Sequence, residues 1–282
     1  MNILIIGSGA REHAILWKLL QSPKVSGIWV APGNAGTGII ARNLDISTDD
    51  FPAIARAVSQ NGIDLVVVGP EVPLSKGIVD YLEERGIPTF GPTQAAARIE
   101  SSKDFAKELM LKHGIPCDRS ETFDAPEDAR AYIRGQPLPV VVKADGLAAG
   151  KGVVVATTLE EADLAIEVIM EQGAFGEAGD RVVVEEFMEG YEVSLLAFTD
   201  GETVVPMVPA QDFKRVHDGD QGPNTGGMGS YSPPSFFGLE MVDLVMRTIL
   251  EPAVRAMAQE GVLYKGVLYA GLMMTAEGPK VV

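Results

Sequence analysis

Short apolar runs separated by helical segments fill residues 1–100, and this order constrains the fold more than any other feature of the chain. The runs at residues 3–6, 25–30 and 65–68 do not alternate with polar residues, which is typical of strands buried on both faces. We therefore predict a parallel sheet covered by helices on both sides. Ligands of such sheets usually bind at the loops that follow the strands, which here are residues 7–12, 32–36 and 69–71.

Charge and cysteine content narrow the classes of function. The chain has 282 residues and a net charge of −16, so its surface repels the phosphates of nucleic acids. The single cysteine, Cys117, excludes an internal disulfide framework and a metal site built from cysteines. No apolar stretch approaches the roughly 20 residues of a membrane-spanning helix. These features predict a cytoplasmic protein without nucleic-acid or membrane partners.

The length and a change of pattern near residue 101 predict more than one domain. Residues 1–100 form the predicted α/β domain with the parallel sheet, which includes a helix at residues 74–84. Residues 121–189 form a predicted small α+β lobe, and residues 101–120 and 190–282 form a predicted core. Within this core we expect a long loop at 212–234, a helix at 240–260, and a terminal hairpin that stops in mid-strand at Val282.

The loop at residues 7–12, with the sequence GSGARE, lies between a strand and a helix as the phosphate loop of a dinucleotide site would. Glu12 stands where such a site has its third glycine, and Ala31 stands where a ribose-binding acid would follow the second strand. An NAD site is therefore disfavoured. Backbone N–H groups of the loop can still bind a phosphate, with Arg11 adding charge, and the alternative is an ordinary tight turn.

A second glycine-rich loop, KADGLAAGKGV at residues 143–153, joins two apolar strands. Its three glycines and its lysines are typical of a cradle for phosphate groups. It is not a P-loop, because Gly152 follows Lys151 and a strand comes next. We interpret it as a hairpin flap that closes over a nucleotide. Lys143 ends a buried strand and needs an anionic partner, either a phosphate or a structural carboxylate.

Two further segments carry clustered polar groups. The strand at residues 182–192 delivers Glu185 and Glu192 to a hinge whose backbone can bind an adenine edge, and the alternative is a solvated strand end. Residues 211–229 join the polar run QDFKRVHDGD to the glycine-rich GPNTGGMG. Loops of this length in compact chains are often functional, and the alternative is a disordered linker. We assign no role to His217.

Taken in order, the segments GSGAREH, APGNAG, KADGLAAGKGV and GPNTGGMG resemble those of the phosphoribosylamine–glycine ligase family, ATP-grasp enzymes of purine biosynthesis also called glycinamide ribonucleotide synthetases. The resemblance covers essentially the whole chain. It implies an N-terminal Rossmann-like domain, an ATP-grasp core with a small mobile lobe, and a C-terminal domain. It also implies a reaction in which the glycine carboxylate attacks the γ-phosphate of ATP. The amine of 5-phosphoribosylamine then displaces phosphate from the glycyl phosphate.

The same resemblance implies roles for individual residues. Those implied to bind ATP are Lys103, Lys143, Gly146, Gly150, Lys151, Gly152, Val153, Glu185, Phe187, Met188 and Glu192. Those implied to bind the other substrates are Gly9, Arg11, Asn34, Gly36, Glu71, Asp212, Gly226 and Gly227. Asp212 and Lys214 are the implied catalytic residues. Among the ATP-binding residues, the lysines and the flap are expected at the phosphates, and Glu192 at the ribose.

ATP and Mg²⁺, or Mn²⁺, are the implied cofactors, and glycine and 5-phosphoribosylamine are the implied substrates of a monomeric enzyme. The family's metal-binding Glu-x-Asn pair and its C-terminal domain are expected after Val282, so we predict no metal ligand within this chain. For the same reason the chain alone is expected to be poorly soluble and poorly active.

Three other interpretations stay open. Another ATP-grasp ligase or carboxylase would share the flap at Lys143 and the hinge at Glu185, without needing the loop at residues 222–229. A non-catalytic ATP-binding fragment agrees with the chain's abrupt end. An NAD-dependent oxidoreductase is disfavoured by Glu12 and Ala31. Release of ADP that requires both glycine and phosphoribosylamine would distinguish the ligase from the last two.

Overall fold

The structure is a computed structural model that describes residues 1–148, 152–219 and 221–282. It divides into two compact units. The first comprises residues 1–98 and 264–266, and the second comprises residues 99–263 and 267–282. The division at residue 98 lies close to the predicted boundary at residue 100. The finer division of the second half into a core and a small lobe stays a prediction.

Strands and helices alternate along the first unit. They are β1 (Asn2–Gly7), α1 (Ala10–Leu19), β2 (Gly27–Pro32), α2 (Thr37–Ile40), β3 (Arg42–Asn43), α3 (Phe51–Asn61), β4 (Leu65–Val68), α4 (Glu71–Ser75), α5 (Ile78–Glu83), β5 (Thr89–Phe90) and α6 (Gln94–Ser101), which continues past residue 98. The five strands form one parallel sheet in the order β3-β2-β1-β4-β5. The prediction of a Rossmann-like parallel sheet is confirmed.

The central strand β1 is buried on both faces, which explains its unbroken apolar run. Leu4 and Ile6 belong to a core on one face that includes residues of α3 and α5. Ile3 and Ile5 belong to a core on the other face, together with Leu16 of α1. Because both faces of the sheet are covered, the buried stretch of residues 3–6 in this strand is entirely apolar.

The predicted helix at residues 74–84 is wrong in its extent. The structure has two short helices there, α4 and α5, separated by Gly77. Gly77 has a φ of +84°, a left-handed conformation that glycine adopts without steric cost and that interrupts a right-handed helix.

The second unit contains the remaining elements, except that the first residue of one strand, Gly266, belongs to the first unit. They are α7 (Lys103–His113), β6 (Ser120–Phe123), α8 (Pro126–Ile133), β7 (Val140–Ala144), β8 (Val153–Ala156), α9 (Leu159–Ile166), β9 (Val182–Glu186), β10 (Tyr191–Thr199), β11 (Val204–Pro206), β12 (Gln211–His217), β13 (Gln221–Tyr231), α10 (Leu239–Val245), α11 (Glu251–Gln259), β14 (Gly266–Thr275) and β15 (Gly278–Val281). A π-helical turn (Glu167–Glu171) continues α9, and another (Met246–Leu250) joins α10 to α11. A 3₁₀ turn (Gly176–Gly179) lies between α9 and β9.

An antiparallel sheet in the order β6-β9-β7-β8 carries Lys143 on β7 and Glu185 on β9. Val140 and Val142 of β7, and Val182 and Val184 of β9, pack with the helices α8 and α9 in one core. Since successive side chains of a strand point to opposite faces, the odd-numbered residues of β7 and β9 lie on the other face. The flap at residues 143–153 joins β7 to β8, as predicted for a hairpin.

The predicted loop at residues 212–234 is wrong, because most of it forms a hairpin of β12 and β13. The two strands pair from Gln211 opposite Tyr231 to His217 opposite Gln221, with irregular register between them. The rings of Phe213 and Tyr231 stack with their centroids 6.2 Å apart. Segments rich in polar residues and glycine are not predicted as strands from sequence, because these residues are depleted in strands. The two segments are recognised as strands only from their pairing with each other.

The last part of the chain agrees with its prediction. The helix expected at residues 240–260 is formed by α10, the π-helical turn and α11. The terminal hairpin is formed by β14 and β15, which pair in the sheet β11-β10-β14-β15. Within the described residues, no helix combines the length and the apolar character needed to span a membrane.

Candidate functional site

Lys143 and Glu185 lie on the same face of the sheet β6-β9-β7-β8, opposite the helices α8 and α9. In the register of β7 and β9, Lys143 is paired with Val183 and Glu185 with Val141, so the two charged residues are diagonal neighbours. The Lys143 Nζ contacts the Glu185 Oε2, and both side chains are buried. Of the two kinds of partner left open for Lys143 by the sequence, the structure therefore contains the carboxylate.

Lys107 and Asp118 extend this contact into a row of four buried charges. The Lys107 Nζ, from α7, contacts the Asp118 Oδ1 and lies 3.1 Å from the Glu185 Oε1. Asp118 precedes β6 and is only 1% exposed. Each oxygen of Glu185 thus faces a different lysine. We call Lys143, Glu185, Lys107 and Asp118 the charge row, in which positive and negative groups alternate.

The charge row separates the pKa values of its two carboxyl groups. Burial, together with the charge of Glu185, raises the pKa of Asp118 to about 7. Burial would also raise the pKa of Glu185, but the charges of Lys143 and Lys107 outweigh it and lower that pKa to about 2. The carboxylates outweigh burial at Lys107 and raise its pKa. At neutral pH, Glu185 is therefore ionised while Asp118 is close to its midpoint.

Lys103 joins the charge row to the start of the flap. It is the first residue of α7, and its Nζ donates a hydrogen bond to the Gly146 carbonyl oxygen at 3.0 Å. Burial and the nearby charge of Lys143 lower the pKa of Lys103. The two lysines predicted to bind phosphates are thus brought close to each other and to the flap, although one lies on a helix and the other on a strand.

The first residues of the flap are held by specific contacts. The Asp145 carboxylate accepts from the Asp104 N–H at 2.8 Å and pairs with Arg181 at 2.6 Å. A β-carbon on Gly146 would lie 2.7 Å from the β-carbon of Ala178, so this close approach requires glycine. The base of the flap is therefore anchored to the rest of the second unit.

Of the other predicted flap residues, Gly152 and Val153 are described by the structure. A β-carbon on Gly152 would lie 2.8 Å from the β-carbon of Ala148, another approach that glycine permits. Val153 begins β8 and pairs with Lys143 across the hairpin. Gly150 and Lys151 lie outside the described residues.

The predicted hinge and catalytic residues lie along β9, β10 and β12. Phe187 and Met188 follow β9, with Phe187 exposed and Met188 buried. Glu192 of β10 pairs with Lys214 of β12 at 2.9 Å, and the Lys214 Nζ lies 3.5 Å from the Asp212 carboxylate. Burial would lower the pKa of Lys214, but Glu192 and Asp212 raise it. The predicted ribose-binding and catalytic residues therefore form one cluster.

Gly226 and Gly227 lie on β13, beside the strand that carries Lys214. The Thr225 hydroxyl donates to the Lys214 carbonyl oxygen at 2.8 Å and accepts from the Gly227 N–H at 3.1 Å. Gly227 has a φ of +117°, which disfavours any other residue. Within the described residues, no atom lies within 4 Å of where a β-carbon would stand on either glycine.

In the first unit, the loops after β1, β2 and β4 meet at the carboxyl edge of the sheet. The Asn34 side-chain amide donates to the Ser8 carbonyl oxygen at 2.8 Å. Arg11 pairs with Glu71 at 2.8 Å. A β-carbon on Gly36 would lie 2.5 Å from the His13 ring. The predicted substrate-binding residues of this unit are therefore brought together, and Arg11 and Glu71 are partners of each other.

Glu12 already accepts from the Gly9 N–H, which was expected from the sequence to be available to a phosphate. The Glu12 Oε2 accepts from the Gly9 N–H at 2.6 Å, and its side chain is almost completely buried. A β-carbon on either Gly7 or Gly69 would overlap the Glu12 side chain. The glycines after β1 and β4 thus make room for this carboxylate, which caps α1 as an anion at a helix N-terminus.

Comparison with known protein families finds a matching family model for each half of the chain. The family model described as "Phosphoribosylglycinamide synthetase, N domain" matches residues 1–100, and "Phosphoribosylglycinamide synthetase, ATP-grasp (A) domain" matches residues 101–282. The chain belongs to the phosphoribosylglycinamide synthetase family. This membership confirms the resemblance carried by the four motifs and the predicted fold class. It leaves the NAD-dependent oxidoreductase interpretation without support.

Individual relatives agree with the family assignment. The chain is 53% identical over 282 residues to a phosphoribosylamine–glycine ligase of Halalkalibacterium halodurans, covering 100% of this chain and 66% of that relative. A solved phosphoribosylamine–glycine ligase from Thermotoga maritima has a TM-score of 0.79 and 32% identity, with 100% of this chain and 68% of that one covered. The chain thus spans about two thirds of the length of these relatives.

A third similarity concerns the fold alone. The biotin carboxylase domain of Hydrogenobacter thermophilus 2-oxoglutarate carboxylase, solved with MgADP, ADP and bicarbonate, has a TM-score of 0.77 at 15% identity. The alignment covers 100% of this chain and 62% of that one. The arrangement of strands and helices is therefore shared with a protein of very different sequence.

The part of the chain that the structure describes does not form a metal site. Among these residues there is no group of three or more His, Cys, Asp or Glu side chains that could hold an ion. The carboxylates nearest the predicted phosphate lysines, Glu185 and Asp118, already contact lysines. The described residues therefore do not fit Mg²⁺ or Mn²⁺.

The sequence analysis missed Lys107 and Asp118. Lys107 falls within a helix among other charged residues, and Asp118 falls in the polar connection before β6, so both resemble solvated side chains. One indication was available, because Lys103 and Lys107 are four residues apart and therefore lie on the same face of α7. A helix face with one predicted phosphate-binding lysine is a reasonable place to look for a second functional lysine.

Proposed function

We propose that the chain forms the ATP-binding part of a ligase that joins glycine to 5-phosphoribosylamine. The products would be glycinamide ribonucleotide, ADP and phosphate. The observation that carries this proposal is the cluster of Lys103, Lys143 and the Gly146 carbonyl at the base of a glycine-rich flap. Family membership and the relatives' names support the choice of substrates.

The balance of buried charge supports an anionic ligand at this cluster. Lys103, Lys107 and Lys143 are accompanied in it by the carboxyl groups of Asp118 and Glu185. Asp118 is only partly ionised at neutral pH because its pKa is raised to about 7. Asp145 and Glu100 also attract the Lys103 ammonium, and a triphosphate would supply further compensation to these buried lysines.

The remaining predicted residues would position the nucleotide and the reacting groups. The backbone at Phe187 and Met188 would contact the adenine, and Glu192 would accept from the ribose hydroxyls. Asp212 and Lys214 would lie near the reacting carboxylate, where the Lys214 ammonium would attract it. In the first unit, Asn34, Gly36, Arg11 and Glu71 would contact phosphoribosylamine. Gly9 would contribute through groups other than its N–H, which Glu12 already uses.

The proposed chemistry needs no nucleophilic side chain. A glycine carboxylate oxygen attacks the γ-phosphorus, and the bond between that phosphorus and the β,γ-bridging oxygen breaks to release ADP. The amine then attacks the carbonyl carbon of glycyl phosphate, phosphate leaves, and an amide forms with loss of a proton. Positioning and charge compensation by the lysines would supply the protein's contribution to such a phosphoryl transfer.

Lys143→Ala is expected to raise the Kd for ATP by about tenfold or more, because a charge-assisted contact contributes about 1.5–3 kcal/mol. Isothermal titration calorimetry on a protein as long as the full-length relatives measures the effect. Lys112→Ala is the matched control, since Lys112 is an exposed lysine of α7 that pairs with Glu260. An unchanged Kd in Lys143→Ala would contradict the assignment of this lysine to the phosphates.

Release of ADP tests the substrates. We expect turnover only when glycine and phosphoribosylamine are both present, and we expect it from a protein as long as the full-length relatives. The 282-residue chain is expected to turn over little. ADP release that needs neither substrate, or only one, would instead favour another ATP-grasp activity. We also propose a monomer located in the cytoplasm; sedimentation and localisation of the full-length protein test these two proposals.

A further inference from the structure

Lys107 is the lysine of the charge row to which the proposed function assigns no contact with ATP. Its contacts are to carboxylates on either side of it, Asp118 before β6 and Glu185 on β9. It is 5% exposed, and the carboxylates hold its pKa above the ordinary value. Burial of a lysine is unfavourable unless its charge is used, so the position calls for an explanation.

Lys143 faces a conflict in the proposed function. Its Nζ contacts the Glu185 Oε2, and the same Nζ must reach a phosphate when ATP binds. Moving it away would leave a carboxylate that is 2% exposed without that counter-charge, which is strongly unfavourable. Unless a second cation stays with Glu185, the ion pair therefore competes with ATP for Lys143.

Lys107 is placed to remove this conflict. It lies 3.1 Å from the other oxygen of Glu185, the Oε1, and comes from α7 rather than from the strand that carries Lys143. Asp118 contacts Lys107 from the far side and holds it there. Displacement of Lys143 would thus leave Glu185 still facing a lysine.

We propose that Lys107 is a positioning residue for ATP binding: it keeps Glu185 compensated so that Lys143 can transfer from Glu185 to a phosphate. The proposal rests on the proposed function, since it assumes that Lys143 binds the phosphates of ATP. It predicts that Lys107 matters only while position 185 carries a negative charge. A lysine that merely stabilised the fold would matter regardless of what stands at position 185.

The test is a double-mutant cycle of Lys107→Met and Glu185→Gln. Both are made in an Asp118→Asn background, because Lys107→Met alone would leave the buried Asp118 carboxylate without its lysine. The Kd for ATP and the Kd for adenosine are measured by calorimetry for each variant. Adenosine has no phosphates, so the ratio of the two Kd values reports on the phosphate contacts and cancels changes at the adenine hinge.

In the Asp118→Asn background, Lys107→Met is expected to raise the Kd for ATP by about tenfold or more and to leave the Kd for adenosine unchanged. When Glu185→Gln is also present, the same substitution is expected to change the Kd for ATP by less than about threefold. Loss of tenfold in both backgrounds, or parallel loss of ATP and adenosine binding, would overturn the proposal and indicate a structural role. An unsubstituted protein as long as the full-length relatives that bound no ATP would overturn the proposed function as well.

Discussion

Glu185→Ala is expected to lower the free energy of unfolding by about 3–5 kcal/mol, because it leaves buried lysines without their shared carboxylate. Lys143 and Lys107 approach the two oxygens of Glu185 from different elements, and both are buried. Deleting the carboxylate removes two ion pairs at once: Lys107 keeps its contact with Asp118, and Lys143 loses the carboxylate that it contacts. Urea unfolding followed by circular dichroism at neutral pH measures the change in stability.

Glu189→Ala is the matched control for this substitution. Glu189 lies four residues further along the chain and is exposed, so its removal is expected to change the free energy of unfolding by no more than about 0.5 kcal/mol. A loss below about 1 kcal/mol in Glu185→Ala would show that the lysines are compensated elsewhere or lose their protons readily. That result would contradict the charge row as a coupled unit.

Asp118→Asn is expected to remove a pH dependence from the stability of the chain. The pKa of Asp118 is about 7 in the folded state against an ordinary value of 3.8, so the folded state keeps a proton that the unfolded state has lost between those two pH values. Stability from this proton is fully present below the unfolded pKa and is lost as the pH rises to about 7. Between pH 5 and pH 8 the unsubstituted chain should therefore lose about 2–3 kcal/mol that Asp118→Asn retains.

The ionisation of Glu185 does not change the stability of the chain between pH 5 and pH 8. Its pKa is lowered to about 2, so its own contribution is present above the ordinary value and is lost only as the pH falls towards 2. Urea unfolding of both proteins at pH 5 and pH 8 gives the difference. Asp128→Asn, at an exposed position of α8, is the control and should follow the unsubstituted chain. Equal pH dependence in all three proteins would show that Asp118 ionises normally in the folded state.

The candidate site was partly predictable from the sequence because some of its residues have unusual local contexts. Lys143 and Glu185 each interrupt or end a run of valines, and a charge in a buried strand needs a partner. The flap was recognisable from its glycines. Lys107 and Asp118 have ordinary local contexts, and their burial depends on α7 and the segment before β6 lying against the sheet face.

Glu12 shows a different limit of what can be predicted from the sequence. Its position in place of a third glycine argued against a dinucleotide site, and the structure agrees with that argument. What the pattern did not reveal is that the Glu12 carboxylate accepts from the Gly9 N–H and fills the space beside Gly69. Gly69 follows a different strand, so only the pairing of β1 with β4 brings it to Glu12.

The sequence by itself determined the elements that depend on local chemistry. Unbroken apolar runs identified the parallel strands, and ordered glycine-rich motifs identified the family. The tertiary structure decided which distant charges meet, because strand register and helix packing set those distances. The register of β7 and β9 places Lys143 beside Glu185, and α7 adds Lys107 to the same carboxylate. Ion pairs between elements far apart in the chain depend on geometry that no local pattern encodes.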